Sequence, residues 1–309
     1  MRTSVNISRR QFMGLAGVFA AGLVIPWGAF AAPGQIRKAI PKTGEMLPVI
    51  GMGTSRTFDA RGNTALLAQL QQVTQTFFDR GGGMIDSSPM YGSAQEVIGQ
   101  LLPEVKGKMN LFAATKVWID GKEEGIAQME ESRQQWGIKL FDLMQIHNLV
   151  DWETHLETLK QMKADGKIRY IGITTSHGRF HHQLKDILSK HDAFDFVQLS
   201  YNIGNRDVES PLLSIAQEKD IAVIVNRPYQ RGDLFRQVKG KSLPSWAREF
   251  DCTSWGQYFL KYVVSHPAVT CAIPATSKVK HMKDNMQAGR GRLPTAKQRI
   301  QMVKYFESL

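Results

Sequence analysis

Cysteine is nearly absent. Among 309 residues only Cys252 and Cys271 carry a thiol, which excludes a scaffold built on disulfides. An oxidising compartment would still permit those two to pair, although Cys271 lies in an apolar run and reads as a small core residue. Dense runs of one charge are also missing. The net charge is +11, but the basic residues are scattered, so the chain reads as having a solvated basic surface, with no nucleic-acid partner expected. No G-x-G-x-x-G follows any apparent strand, which argues against a doubly wound dinucleotide-binding sheet. Internal repeats and low-complexity tracts are lacking. Histidines cluster once, at His177, His181 and His182. That stretch reads as an exposed loop and helix start without carboxylate or thiol support, and no metal site is expected.

What is present begins with a leader. Arg9 and Arg10 in SRRQFM precede the apolar stretch GLAGVFAAGLVIPWGAFAA, which closes on Ala29-Phe30-Ala31. Twin arginines, an apolar segment and an A-x-A ending are the features of a Tat export signal with a cleavage site. Residues 1–31 are therefore expected to be removed, leaving 32–309 as the folded, periplasmic part, with the Tat machinery as the export partner. An uncleaved leader would instead tether the protein to a membrane. Pro26 and the glycines argue against a stable span, which needs about 20 apolar residues.

From there, strand and helix signals alternate, which predicts a parallel sheet covered by helices. The segment Ile36 to Gly53 reads as a hairpin, turning at Lys42 to Glu45 with Gly44 at positive φ, followed by a first strand over Val49–Gly53. Further strands are expected at Met84–Asp86, Leu111–Lys116, Leu143–His147, Tyr170–Thr174, Phe196–Leu199, Ala222–Asn226 and Cys271–Ile273. Intervening helices include one capped by Asn63 and one over Glu123–Trp136. Eight strands with helices between them predict a single (β/α)8 barrel preceded by a β-hairpin. This length can bury one core of that size. The longest irregular stretch, Arg231 to Ser254, would hang over the barrel mouth.

Four polar residues stand at or just past the ends of apolar strands: Asp86, Tyr91, Lys116 and His147. In a parallel barrel the strand C-termini converge on one mouth, so these residues can meet. Together they make a proton-donating site. Tyr91 is the general acid/base, and a cation near its oxygen is expected to lower its pKa from the usual value of about 10. Lys116 supplies that cation. Asp86 pairs with it, since a buried lysine needs a partner. His147 is placed to orient a carbonyl oxygen.

These residues, in D-S-S-P-M-Y-G, A-T-K-V-W and Q-I-H-N, resemble the catalytic set of the aldo-keto reductases, and LKQMKADGKIRYIGITTS and IPATSK extend the resemblance from Arg37 to Asn285. The resemblance implies an NADP(H)-dependent oxidoreductase, with NAD(H) as the other cofactor, interconverting a small-molecule aldehyde or ketone with its alcohol. It implies that Thr174, Thr175 and Gln198 hold the nicotinamide carboxamide, where the family has Ser-Asn in place of the two threonines. Thr276, Ser277, Lys278 and Asn285 would lie along the adenosine phosphate, and Trp118 would line the substrate pocket. Asn226 and His281 stand where many members carry a stacking tyrosine and a phosphate-binding arginine. The alternative from another class is a non-enzymatic barrel that binds nucleotide to sense redox state or to dock a partner. Retention of all four catalytic residues favours the enzyme.

Overall fold

The computed structural model describes residues 34–309, and the expected leader lies outside them. Strands β1 (Arg37–Ala39) and β2 (Met46–Pro48) pair antiparallel through a turn in which Gly44 has φ 75°. A positive φ at that position costs glycine little. The hairpin delivers Ile40 and Leu47 into a cluster with Met84, Phe112, Tyr170, Phe196 and Ala222, which come from the starts of successive strands. It therefore seals the N-terminal end of the barrel. Lys38 Nζ donates to the carbonyls of His266 (2.8 Å) and Val269 (2.7 Å), and Lys42 Nζ donates to Phe194 O (2.7 Å).

The barrel strands are β3 (Met52–Gly53), β4 (Met84–Asp86), β5 (Phe112–Val117), β6 (Phe141–His147), β7 (Ile168–Thr174), β8 (Phe196–Ser200), β9 (Ala222–Asn226) and β10 (Val269–Ala272). They run parallel in chain order from β3 to β10. The ring closes where Ile50 bridges Ala272 and Gly53 bridges Ala275, with Gly51 N donating to Ala272 O (2.9 Å) and Ala272 N to Val49 O (2.9 Å). Helices α1 (Thr64–Asp79), α2 (Ala94–Leu101), α3 (Lys122–Trp136), α4 (Trp152–Ala164), α5 (His181–Lys190), α6 (Leu212–Glu218), α7 (Asp233–Gln237), α8 (Trp255–Val264), α9 (Val279–Ala288) and α10 (Ala296–Glu307) complete the chain. Asn63 caps α1, its side chain accepting from Leu66 N. The larger core lies between strands and helices, where Phe77, Trp136, Phe194 and Phe259 are almost fully buried.

The expected barrel is present, with shifts at the element ends. Of Val49–Gly53, only Met52–Gly53 is a strand, because Ile50 makes a single bridge at the seam. Strands β6 and β7 begin two residues earlier than expected, and β10 begins at Val269 and ends at Ala272, before Ile273. The stretch Arg231 to Ser254 is not irregular. It folds into α7 and a 3-10 helix over Ser245–Phe250, which bury Leu234, Ala247 and Phe250. Elements this short carry too few apolar residues to display a period. Among the described residues, no helix is long and apolar enough to cross a membrane.

Candidate active site

The strand ends bring three of the four catalytic candidates together, and the loop after β4 brings the fourth. Asp86 ends β4, Lys116 lies near the end of β5, and His147 ends β6. Lys116 is fully buried and its Nζ donates to Asp86 Oδ2 (2.6 Å) and Ser87 O (2.7 Å). The other carboxylate oxygen, Oδ1, accepts from Gln145 Nε2 (2.9 Å) and Gln198 Nε2 (2.9 Å). The buried charge pair is thus satisfied on both sides, which a buried ion pair requires. Gln145 reaches inward across Gly172, its neighbour in the β6–β7 register. A Cβ at Gly172 would stand 2.7 Å from Gln145 Cγ.

Tyr91 lies half-buried above this pair, with Lys116 Nζ 5.4 Å from its ring centroid. Burial raises the Tyr91 pKa above the usual 10.0, and the charge of Lys116 offsets only part of that rise. The expectation that the cation brings the phenol down is therefore corrected. Desolvation of a phenolate outweighs the nearby ammonium, itself partly neutralised by Asp86. Tyr91 stands as a protonated phenol at neutral pH, the form that donates. His147 is pushed down to about 2 by burial and then by the charge of Lys116. Its ring is neutral, and Nδ1 shares a hydrogen bond with Ser88 Oγ (2.9 Å). The rings of Tyr91 and Trp118 lie 6.1 Å and 6.2 Å from that of His147. All three line the cavity at the C-terminal mouth, whose volume is about 1540 Å³.

The same cavity is lined by Asp86, Thr174, Gln198, Thr276 and Asn285. Lys116 lies beneath it. Thr175, Ser277 and Lys278 do not line it. Thr174 ends β7, opposite His147 and Gln198. Thr175 is buried, and its hydroxyl has no partner. Ser277 lends its carbonyl to Gln69, and Lys278 is the N-cap residue of α9. Asn285 accepts from Tyr229 OH (2.6 Å) while its buried Nδ2 is unpartnered. Asn226 is absorbed by its neighbours. Its Nδ2 donates to Thr175 O (3.0 Å) and its Oδ1 accepts from Ser200 Oγ (2.6 Å). His281 lines the cavity with its pKa lowered by burial and then by Lys278.

Sequence reasoning missed Gln145 and Ser88. Gln145 had a signal: it is polar inside an apolar strand, two residues before His147 and so on the same strand face. It also missed the arginines of the cavity wall, which sit in loops without a pattern. His182, expected to lack carboxylate support, lies 3.5 Å from Asp186 one helical turn on. Cys252 and Cys271 are free and buried, each thiol pushed up to about 12 by burial.

A closed parallel barrel with a lysine–carboxylate pair under a tyrosine at its mouth defines an oxidoreductase of the aldo-keto type. Residues 49–304 match the Aldo/keto reductase family, and the chain belongs to that family. Methylglyoxal reductase YeaE of Escherichia coli (strain K12) is 25% identical over 256 residues, spanning 81% of this chain and 88% of that protein. Aldo-keto reductase YhdN of Bacillus subtilis (strain 168) is 26% identical over 210 residues, spanning 63% and 62%. Among solved structures, an aldo/keto reductase from Klebsiella pneumoniae in complex with NADP and acetate superposes with a TM-score of 0.72 at 21% identity. The likeness covers 88% of this chain and 95% of that one, and it establishes the fold.

Proposed function

We propose that the protein is an NADP(H)-dependent oxidoreductase that interconverts an aldehyde or ketone with its alcohol, with Tyr91 as the general acid/base. The observation that carries this reading is the buried Lys116–Asp86 pair beneath a protonated Tyr91 and beside a neutral His147. A structural pair would not need a phenol and an imidazole facing one cavity. A bound nicotinamide dinucleotide supplies the hydride, which no side chain can. The chain's residues fit such a group: the orphaned Asn285 amide belongs to the cavity wall and is a buried polar atom awaiting a partner, and such atoms are rare unless something pairs with them. Thr174, Thr175 and Gln198 would hold the carboxamide end, and Thr276, Ser277, Lys278 and Asn285 the phosphate end. The Klebsiella structure is in complex with NADP, which supports NADP(H) as the cofactor here.

In the reducing direction Tyr91 gives its proton to the carbonyl oxygen, and His147 donates a hydrogen bond that holds that oxygen in place. Lys116 steadies the phenolate left behind, and Asp86, held by Gln145 and Gln198, keeps Lys116 in position. Trp118 borders the space for the substrate. Residues 1–31 would direct export through Tat to the periplasm. Tyr91→Phe removes only the proton donor. Turnover of aldehydes with NADPH should fall at least ~100-fold, the lower end for losing general acid catalysis, while nucleotide affinity in a fluorescence titration stays unchanged. Near-normal turnover in this variant would remove Tyr91 from the mechanism. Nucleotide binding by the wild type without turnover on any carbonyl compound would favour the redox-sensing barrel.

A further inference from the structure

Arg56, Arg179, Arg227 and Arg231 all line the cavity that contains Tyr91 and His147. They come from three separate loops, after β3, β7 and β9. Several arginines elsewhere meet carboxylates, as Arg133 does Glu130, Arg206 Glu307 and Arg292 Asp251. Among the described residues these four make no salt bridge and no side-chain hydrogen bond, and the half-buried Arg227 has an Nε that is buried without any partner.

The acids of the same wall do not answer them. Asp86 is taken by Lys116. Asp59 accepts from Ser93 N (3.0 Å) and Oγ (2.8 Å). Asp284 accepts from Ser254 Oγ (2.7 Å) and Gln257 Nε2 (2.7 Å). Asp233, the acid nearest in effect to Arg227, is held by Arg236. The arginines are close enough to repel one another. Burial lowers the Arg227 pKa most, the charges of Arg231, Arg179 and Arg56 lower it further, and the charge of Arg231 is also felt at the Tyr91 phenol. Three of the four hold a left-handed backbone, Arg56 at φ 65°, Arg227 at 52° and Arg231 at 57°. Non-glycine residues adopt that conformation at a cost, and such residues gather at functional sites.

Like charges brought together on strained backbone, with one guanidinium nitrogen buried and unsatisfied, call for an anion. We propose that these arginines form a subsite for an oxyanion on the carbonyl substrate, so that the preferred substrates are aldehydes or ketones bearing a carboxylate or a phosphate ester. This rests on the reductase reading and names the substrate class for it. The guanidinium fork suits both groups, since it meets two oxygens at once. Arg231 shares the cavity with Tyr91 and its charge reaches that phenol, whereas the residues assigned to the nucleotide's adenosine phosphate, Thr276 to Lys278, precede α9. The anion belonging to the nucleotide's own diphosphate is the competing source, and the experiment separates the two.

Succinic semialdehyde is compared with butanal, and glyceraldehyde 3-phosphate with glyceraldehyde, in the wild type, Arg231→Gln and Arg227→Gln. Arg231 is exposed, so its variant keeps the fold even where Arg227→Gln does not. The wild type should favour each anionic aldehyde in kcat/KM by at least ~10-fold. Each variant should lose roughly 10-fold of that preference, mainly through KM, as expected for one hydrogen bond to a charged group. Nucleotide affinity should hold. Equal kcat/KM for anionic and neutral partners in the wild type overturns the proposal. So does a variant that loses nucleotide affinity while keeping its preference, which would assign the arginines to the cofactor. Calorimetric titration with succinate tests the subsite without turnover. Binding that disappears in Arg231→Gln upholds the subsite even if no aldehyde is reduced and the reductase reading falls. No binding, or binding unaffected by the substitution, rejects it.

Discussion

The ammonium of Lys116 is enclosed by a carboxylate and a carbonyl oxygen and has no contact with solvent. Removing one member of such a pair leaves the other charged and unsatisfied. Lys116→Met should therefore lose stability as well as activity, by about 3–5 kcal/mol, measured as a shift of the urea midpoint at unchanged slope. An equally stable variant would mean that Asp86 is protonated or hydrated in its absence. His147 gives a second prediction, with a defined sign. Its pKa falls from 6.5 unfolded to about 2 folded. The folded state thus binds fewer protons below pH 6.5, so this contribution to stability is complete above 6.5 and is lost as pH falls from there toward 2. The slope approaches ~1.4 kcal/mol per pH unit for one group. His147→Gln should flatten that acid limb of the melting temperature between pH 6.5 and pH 4. An unchanged limb would assign acid sensitivity to other groups, such as the half-buried His266.

Elements set what could be read without coordinates. Asp86, Lys116 and His147 were legible because each lies at the end of an apolar run, and a parallel barrel brings such ends together. Gln145 was hidden by its strand: a single polar residue in an apolar run does not say what it bonds to. Arg227 and Arg231 were invisible as a pair, because their backbones turn left-handed in a loop whose residues are not glycine. An eight-stranded barrel implies that its first strand meets its last, but only two residues of β3 form ladder pairs, and those are with β4. There Gly53 carries a constraint. A Cβ at this residue would stand 2.6 Å from Ile273 O, a backbone atom that cannot swing aside. Gly53→Ala should spread the seam and destabilise by roughly 1–3 kcal/mol, as overpacking does, with hydrogen exchange rising first at Gly51 and Ala272. Unaltered exchange there would show that the seam yields without loss.

At the scale of the whole molecule, the proposed export route and the proposed cofactor constrain each other. The Tat route is understood to carry proteins that have already folded, and dinucleotides are made in the cytoplasm. Ligand binding to the native state stabilises it by mass action, so a barrel loaded before export would be favoured over an empty one. Mature protein taken from the periplasmic fraction and denatured should release NADP(H) in one-to-one amount. Empty protein with weak affinity for both nucleotides would reject this and would favour the redox-sensing alternative. The enclosure of Lys116 has a further consequence for the intact molecule. An amine-acylating reagent meets many exposed lysines on this basic surface but cannot reach the one beneath Tyr91 while the barrel is closed. The peptide containing Lys116 would gain mass only from molecules that had opened fully, so its labelling rate counts opening events of the whole barrel.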